Sequence, residues 1–114
     1  MEDCLFCKII AGNIPSTKVW DDDVCYAFRD INPQARIHIV LVPKTHVCCL
    51  NGLEGLTDQE ISHLLRVIPQ IAAQEGIAQS GYRIVSNCGS DACQSVKHLH
   101  IHILGGEQLA DKMA

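Results

Sequence analysis

A strict alternation of histidine and aliphatic residues near the C-terminal end is the most constraining feature of this sequence. The alternating residues are, in order, His98, Leu99, His100, Ile101, His102 and Ile103. Because successive side chains of a β-strand point to opposite faces, this period predicts a strand over 99–104 with the imidazoles on one face and the aliphatic residues in the core. Neighbouring imidazoles would lie roughly 6.5–7 Å apart along the strand, which is too far for a direct bond and close enough for all three to surround one ligand.

Three interpretations of this histidine face are consistent with the residues alone. The first is three half-exposed histidines on an open sheet, with no chemical role. The second is a zinc site that uses two or three of the imidazoles, as in metal-dependent hydrolases. The third is nucleophilic catalysis, in which one imidazole attacks phosphorus while the others orient it and bind oxygen atoms.

The remaining sequence carries signals for two helices and four further strands. Apolar residues at helical spacing predict a short helix over 4–11 that ends at Gly12. Thr57 and Glu60 have the spacing of a capping box, and the apolar face behind them predicts one long helix up to Gly76. Strands are predicted at 19–20, 24–28, 36–42 and 82–86. The predicted fold class is α+β, an antiparallel sheet of about five strands with one long helix and a short N-terminal helix.

Length, charge and cysteine content set limits on what the protein does. The chain has 114 residues, which suits a single domain over 1–114. Its net charge of −4 gives no reason to expect a nucleic-acid partner. Its apolar runs fall short of the roughly 20 residues that span a bilayer, so no membrane partner is expected. The start Met1-Glu2-Asp3-Cys4 lacks the features of a signal peptide, and an odd number of cysteines, seven, is unusual for a secreted scaffold. These features predict a cytoplasmic protein.

Cys4 and Cys7 have the Cys-x₂-Cys spacing of half a zinc site. A thioredoxin-like active site has the same spacing, and so do two thiols that are simply buried. No second Cys-x₂-Cys pair is present in the sequence to complete a four-thiolate site. The spacing alone therefore leaves all three interpretations open.

Motifs along nearly the whole chain resemble those of the histidine triad (HIT) family, in particular the branch of histidine triad nucleotide-binding proteins, the purine nucleoside phosphoramidases. The matching segments are 6–10, 14–15, 27–35, 42–46, 87–91 and 94–106, the last of which includes Gln94-Ser95-Val96 and the three histidines. The resemblance implies the HIT fold and a homodimer whose two sheets join across the interface. It also implies hydrolysis of purine nucleoside 5′-phosphoramidates, or related conjugates of AMP or GMP, to the nucleoside monophosphate.

The resemblance assigns catalytic roles to residues of the last two segments. His100 is similar to the nucleophile that forms a nucleotidyl-histidine intermediate, and the backbone carbonyl of His98 would hold its tautomer. His102 would lie beside the phosphate. Ser95 and Asn87 resemble residues that contact the phosphate or the leaving group.

The resemblance also assigns nucleotide and metal sites. Asp30 is similar to the carboxylate that binds both ribose hydroxyls, although the same residue suits a turn before a proline. The apolar slot for the purine corresponds to Leu5, Phe6, Ile9, Phe28 and Ile31, of which Phe6 is expected to touch the base. Many bacterial relatives hold a structural zinc ion through residues that correspond to Cys4, Cys7, His46 and His98. No metal is expected to be required for the chemical step.

Other activities remain compatible with the motifs. A dinucleoside polyphosphate hydrolase or nucleotidyltransferase shares the triad, and a nucleotide-binding regulatory module could retain it with incidental catalysis. A zinc-dependent hydrolase that uses all three triad histidines is a further alternative. The chain departs from its relatives at Ala92 and Cys93, where they commonly have glycines, and its C-terminal residues lack the tryptophan of animal members. These departures leave the level of activity and the leaving-group preference open.

Overall fold

The computed structural model describes residues 3–114, so Met1 and Glu2, which the signal-peptide argument used, lie outside the described residues. The helices are α1 (Leu5–Ile10) and α2 (Asp58–Gln74), and the strands are β1 (Lys18–Asp21), β2 (Cys25–Arg29), β3 (Ile37–Pro43), β4 (Tyr82–Val85) and β5 (Ile101–Gly105). Short 3₁₀ helices cover Leu50–Gly55 and Ser90–Ala92.

All five strands form one antiparallel sheet in the order β1-β2-β3-β5-β4. The predicted α+β class is therefore confirmed. β3 lies at the centre, where Val40 is paired with Phe28 of β2 and with His102 of β5. This register places residues from distant parts of the sequence side by side on one face.

The sheet has two apolar faces with different partners. One face packs against α2, and the buried residues of this larger cluster include Ile39, Leu41, Leu64, Val67, Ile71, Leu99, Ile101 and Ile103. The other face packs against α1, and its buried residues are Phe6, Ile9, Tyr26, Phe28, Val40 and Val42. Alternation along β3 and β5 therefore directs Ile39, Leu41, Ile101 and Ile103 to α2. The residues between them face α1 and the histidines.

The long helix begins as the sequence predicts. The Thr57 side chain accepts a hydrogen bond from the Glu60 backbone N–H, and the Glu60 carboxylate accepts one from the Thr57 N–H, which completes the capping box. The helix continues through Pro69. Pro69 removes the partner of the Leu65 carbonyl, a residue whose side chain is exposed on the outer surface of the helix.

The histidine segment forms less regular strand than the alternation predicts. β5 starts at Ile101, so His98 and His100 precede it. The reason is local: the His98 N–H donates to the Val96 carbonyl, and the Leu99 N–H donates to the carbonyl of Val47. Those bonds replace the ladder to β4 and hold the start of the triad against the segment that follows β3.

Within the described residues, no helix has both the length and the apolar character that crossing a bilayer requires.

Candidate active site and metal centre

His100 is buried, and one of its two ring nitrogens is committed to the backbone. Its Nδ1 lies 2.7 Å from the carbonyl oxygen of His98, so Nδ1 carries the proton and donates it. In the neutral imidazole the second nitrogen, Nε2, then keeps its lone pair. The structure thus places the His98 carbonyl where the resemblance expected it, and this tautomer leaves His100 with a free nucleophilic nitrogen.

His98 has the opposite tautomer and faces a different set of groups. Its Nε2 lies 2.8 Å from the Pro43 carbonyl and donates to it, so the lone pair is on Nδ1. That atom points to the thiols of Cys4 and Cys7 and to His46. Burial, which disfavours the charged imidazolium, lowers the pKa of His98 and keeps it neutral.

His102 is held by a fourth histidine that the sequence did not single out. The Gln34 backbone N–H donates to Nδ1 of His38 at 3.0 Å, so the proton of His38 is on Nε2. That N–H donates to Nδ1 of His102 at 2.8 Å, with the Asp30 carboxylate 3.4 Å away. His102 therefore carries its own proton on Nε2. The only sequence signal for His38 was a polar residue in the otherwise apolar strand 37–43.

The rings of His100 and His102 are closer than a straight strand predicts. Their centroids are 5.0 Å apart with planes at 79°, because the backbone before Ile101 is irregular and the rings turn toward each other. The expectation of 6.5–7 Å spacing was wrong for this pair. The three imidazoles do not surround one ligand, since His98 turns to the cysteines.

Burial and the neighbouring histidines lower the pKa of His102 to about 4. Burial also lowers the pKa of His38, and the nearby Asp30 carboxylate opposes that effect only in part. Both rings are therefore neutral near pH 7. The chain of hydrogen bonds from Gln34 to His102 requires these neutral forms, so electrostatics and geometry agree.

A cavity of about 330 Å³ joins the triad to the face that packs against α1. Its lining includes Leu5, Phe6, Ile9, Ile14, Phe28, Asp30, Ile31, Ser95, His100 and His102. The Phe6 ring is buried and meets the His100 ring edge to face at a centroid distance of 5.0 Å. Ile31 also borders the cavity, but its side chain is 91% exposed, so it lies at the rim.

A second, more polar cavity of about 470 Å³ lies beside the first. Asp30, Asn32, Ser95 and His102 line both cavities, and Asn87 lines only the second. Every residue that the sequence analysis assigned to a nucleotide therefore borders one of two adjoining cavities. Cys93, in contrast, is exposed, borders neither cavity and has a left-handed backbone with φ of 60°.

Cys4, Cys7, His46 and His98 form a four-ligand cluster between α1 and the sheet. Their ligand atoms all lie within 4.8 Å of one another, with Sγ–Nδ1 distances of 3.3 to 3.5 Å and 3.1 Å between the two Nδ1 atoms. A tetrahedral zinc ion with bonds of about 2.0–2.3 Å holds its ligand atoms about 3.3–3.8 Å apart. The N–H of His98 on a backbone carbonyl is the usual outer contact of a zinc-bound imidazole. The donor set and its spacing therefore fit zinc.

Without a metal ion, the Cys7 thiol of this cluster stays protonated near pH 7. Burial and the adjacent Cys4 thiol raise the pKa of Cys7 to about 11. A metal ion converts such a pair to thiolates by supplying positive charge between them.

Asp30, His38 and His102 also bring their ligand atoms together, but their hydrogen bonds oppose metal binding. Nδ1 of His38 already accepts the Gln34 N–H, so a metal on Nε2 would require an imidazolate. The zinc-dependent hydrolase that uses all three triad histidines is disfavoured for a related reason, because the free nitrogen of His98 points away from the cavities.

Comparison with known proteins places the chain in a family. A model of the HIT domain matches residues 11–109. The chain is 41% identical over 113 residues to the purine nucleoside phosphoramidase of Escherichia coli strain K12, covering 99% of this chain and 95% of the relative. It is 48% identical over 111 residues to a 14 kDa zinc-binding protein of Zea mays, covering 92% of this chain and 83% of the relative. A HIT family hydrolase from Clostridium thermocellum has the same fold, with a TM-score of 0.90, 37% identity, and coverage of 100% of this chain and 99% of that chain. The chain therefore belongs to the HIT domain family and is a hydrolase of that family.

Proposed function

We propose that this protein hydrolyses purine nucleoside 5′-phosphoramidates, or related conjugates of AMP or GMP, to the nucleoside monophosphate through a nucleotidyl group on His100. One observation carries the proposal. The imidazole whose Nε2 lone pair is free borders the same cavity as an apolar slot and the Asp30 carboxylate. An apolar slot, a ribose-binding carboxylate and a nucleophile in one cavity match the three parts of a nucleotide.

The cavity fits a nucleotide with the base at the α1 end. Phe6, Ile9 and Phe28 are buried and offer flat, apolar surface to a purine. Asp30 is oriented by the Asn32 N–H, which donates to its Oδ1 at 2.8 Å. A carboxylate fixed in this way accepts hydrogen bonds from the two ribose hydroxyls, and the phosphate then lies between Ser95 and His102 where the two cavities join.

The reaction proceeds in two displacements at phosphorus. In the first, the Nε2 lone pair of His100 forms a bond to phosphorus, the P–N bond of the substrate breaks, and the amine leaves with the bonding electrons and takes up a proton from solvent. In the second, a water oxygen attacks phosphorus and gives up a proton to solvent, the bonding electrons of the P–N bond return to Nε2, and the monophosphate departs. The Nε2–H of His102 and the polar groups of Ser95 and Asn87 donate to oxygens on which negative charge develops.

Zinc, when bound, would be held by Cys4, Cys7, His46 and His98 and would stabilise the folded protein. An ion there would join α1, which carries Phe6 and Ile9, to the start of the triad segment. This chain's own residues perform the chemistry, since His100 needs no metal to present its lone pair.

The wider setting of the proposed enzyme rests on the length, charge and cysteine content of the chain and, for the dimer, on the family resemblance. We infer one HIT domain over 1–114, a cytoplasmic location, no nucleic-acid or membrane partner, and a homodimer formed through the edge strand β4. Support for the dimer comes from Ile84 on this edge, which is 48% exposed. A strand edge that carries an exposed apolar side chain is a surface that proteins usually cover.

The activity is tested by measuring AMP release from adenosine 5′-phosphoramidate by wild type, His100→Ala and Lys97→Ala. We expect His100→Ala to lose at least about a thousandfold in kcat while still binding AMP, since it loses only the nucleophile. Lys97 is exposed outside both cavities, so its variant should equal wild type. Tight AMP binding without turnover by wild type would indicate a regulatory module. Faster cleavage of a diadenosine polyphosphate would indicate the alternative hydrolase.

A further inference from the structure

Three thiols gather outside the triad and outside the metal cluster. Cys49 Sγ lies 2.9 Å from Cys88 Sγ and 3.3 Å from Cys48 Sγ. Cys49 is buried, Cys88 is half-buried and Cys48 is exposed. Cys49 and Cys88 are 39 positions apart in sequence, so the fold brings their sulfur atoms into contact.

The pair connects two loops that border the proposed phosphate site. Cys49 lies in the segment after β3, and Cys88 follows Asn87 in the loop after β4. The Gln94 side chain already joins these loops: its Oε1 accepts from the Gly89 N–H at 3.0 Å, and its Nε2 donates to the Cys48 carbonyl at 2.7 Å. The next residue along the chain is Ser95. A covalent link between the loops would therefore restrain the position next to Asn87. It would also restrain the two segments that Gln94, the residue before Ser95, already connects.

We propose that Cys49 and Cys88 form a reversible disulfide when the protein meets a hydroperoxide. The half-buried Cys88 thiol is the one that solvent reaches, so it attacks the peroxide O–O bond. This step gives a sulfenic acid on Cys88 and releases one molecule of water or alcohol. The Cys49 thiol then attacks the Cys88 sulfur, and a second water leaves as the S–S bond forms. Two thiols are oxidised by two electrons, and the peroxide is reduced by the same two.

The geometry favours this pair over the other thiols. A disulfide needs an S–S distance of about 2.05 Å, so Cys49 and Cys88 must approach by less than about 1 Å. Cys93 is exposed in the same loop, and among the described residues its thiol contacts no other thiol. Disulfides in reducing compartments are usually transient and act as redox sensors, which suits a half-accessible pair at the margin of a site.

The consequence for activity rests on the proposed function. Closing the sulfur–sulfur gap pulls the loop after β4 toward the segment after β3 and shifts Asn87 in the polar cavity. Displacements near 1 Å in a positioning group can lower turnover by up to about a hundredfold. We expect the oxidised protein to have kcat at least about tenfold below that of the reduced protein, and a thiol reductant to restore it.

The test treats zinc-loaded wild type, Cys88→Ser and Cys93→Ser with a small excess of hydrogen peroxide. The bridge is located by mass spectrometry of peptides from a digest made without reductant. A Cys49–Cys88 peptide in wild type and in Cys93→Ser, absent from Cys88→Ser, supports the proposal. A bridge confined to Cys4–Cys7, Cys48–Cys49 or Cys88–Cys93, or thiols that overoxidise without any bridge, overturns it.

The activity of the same samples distinguishes the two levels of the argument. Loss in wild type and Cys93→Ser that reductant reverses, with activity retained by Cys88→Ser, supports control of the site by this disulfide. An equal loss of activity in all three proteins refutes control of the site by the disulfide. A mapped Cys49–Cys88 peptide would still show that the disulfide forms. If reduced wild type hydrolyses no nucleotide conjugate, the proposed function fails, and the peptide map still decides whether the disulfide forms.

Discussion

At the scale of single residues, three histidines of the same segment differ because their ring nitrogens meet different partners. His100 donates through Nδ1 and His98 donates through Nε2, each to a backbone carbonyl. His102 instead accepts at Nδ1 from His38. The same side chain thereby becomes a free nucleophile, a candidate metal ligand and an N–H donor. Backbone acceptors decide two of these roles, so they persist only while the surrounding fold is intact.

His38 is a positioning residue for His102, and its removal should alter the tautomer of that ring. In His38→Phe, Nδ1 of His102 loses its donor, so the proton is no longer confined to Nε2. We expect ¹⁵N NMR of the imidazoles to show a single Nε2–H tautomer for His102 in wild type and a mixture in the variant. We also expect kcat to fall by about ten- to a hundredfold, in the range of effects from groups that orient a catalytic partner.

We expect His38→Phe to show the mixture of tautomers and the lower kcat at every pH, because phenylalanine has no N–H to donate to His102. A variant that keeps the single tautomer and full kcat would show that His38 only fills space.

The buried histidines should make the protein less stable in mild acid. The pKa of His102 is about 4 when folded and near 6.5 in an unfolded chain, so the unfolded state takes up protons first as the pH falls. The stability that His102 contributes is complete above about pH 6.5 and is lost as the pH falls toward 4. Denaturant unfolding of wild type and His102→Gln between pH 7 and pH 4 measures this effect.

Subtracting the two curves removes effects that both proteins share, including proton uptake by the metal cluster. We expect wild type to lose more free energy of unfolding across this window than His102→Gln. Parallel curves would refute a depressed pKa for His102.

At the scale of elements, the sequence predicts those features that rest on local periodicity or capping. The alternation predicted the strand that became β5, and Thr57 with Glu60 predicted the start of α2. β5 starts two residues later than the alternation predicts, because the hydrogen bond from the Leu99 N–H to the Val47 carbonyl competes with the sheet ladder. Such non-local bonds have no signature in the strand's own residues.

The candidate site could be predicted only as far as its motifs reached. Asp30, Phe6 and Ser95, which the family resemblance assigns to the nucleotide, border the cavities. His38 escaped notice because its partner, His102, lies 64 positions away and is reached only through the β3–β5 register. Likewise, the Pro43 carbonyl that directs His98 toward the cysteines carries no side-chain signal.

Zinc removal should destabilise α1 and its docking on the sheet without stopping chemistry at once. An ion present at a hundred times its Kd contributes about 2.7 kcal/mol, which corresponds to roughly 10 °C in Tm for a chain of this size. We expect chelation, and Cys7→Ser, to lower Tm by about this amount, with Cys93→Ser as the matched control.

Turnover measured immediately after chelation separates a structural ion from a catalytic one. We expect it to remain within about twofold of the starting rate while the protein is folded, and then to decline with unfolding. Immediate and complete loss from a folded protein would contradict a structural role.

At the scale of the whole molecule, the two faces of the sheet have different partners. One face packs α2 and holds the larger apolar core, while the other holds α1, the histidines and both cavities. Within residues 3–114, no strand pairs with the outer side of the edge strand β4, and its Ile84 is 48% exposed. A second copy of the chain on this edge would extend the sheet and cover that side chain.

The proposed dimer predicts a change of mass for a single substitution on this edge. Ile84→Lys places a charge in the inferred interface, and we expect light scattering to change from the mass of a dimer to that of a monomer. Lys18→Glu, at an exposed position of β1 on the opposite edge of the sheet, should leave the dimer intact. Wild type with the mass of a 12.5 kDa monomer at micromolar concentration would refute this arrangement.

The central claim is that His100 itself carries the nucleotidyl group, and mass spectrometry of rapidly quenched enzyme tests it most directly. Chelator-treated wild type and His100→Ala are mixed with adenosine 5′-phosphoramidate, stopped within milliseconds and digested. We expect an added AMP group on the peptide that contains His100 in wild type. The group should be lost on longer incubation and be absent from the variant. Turnover without any adduct, or an adduct at another residue that persists in His100→Ala, would contradict the central claim.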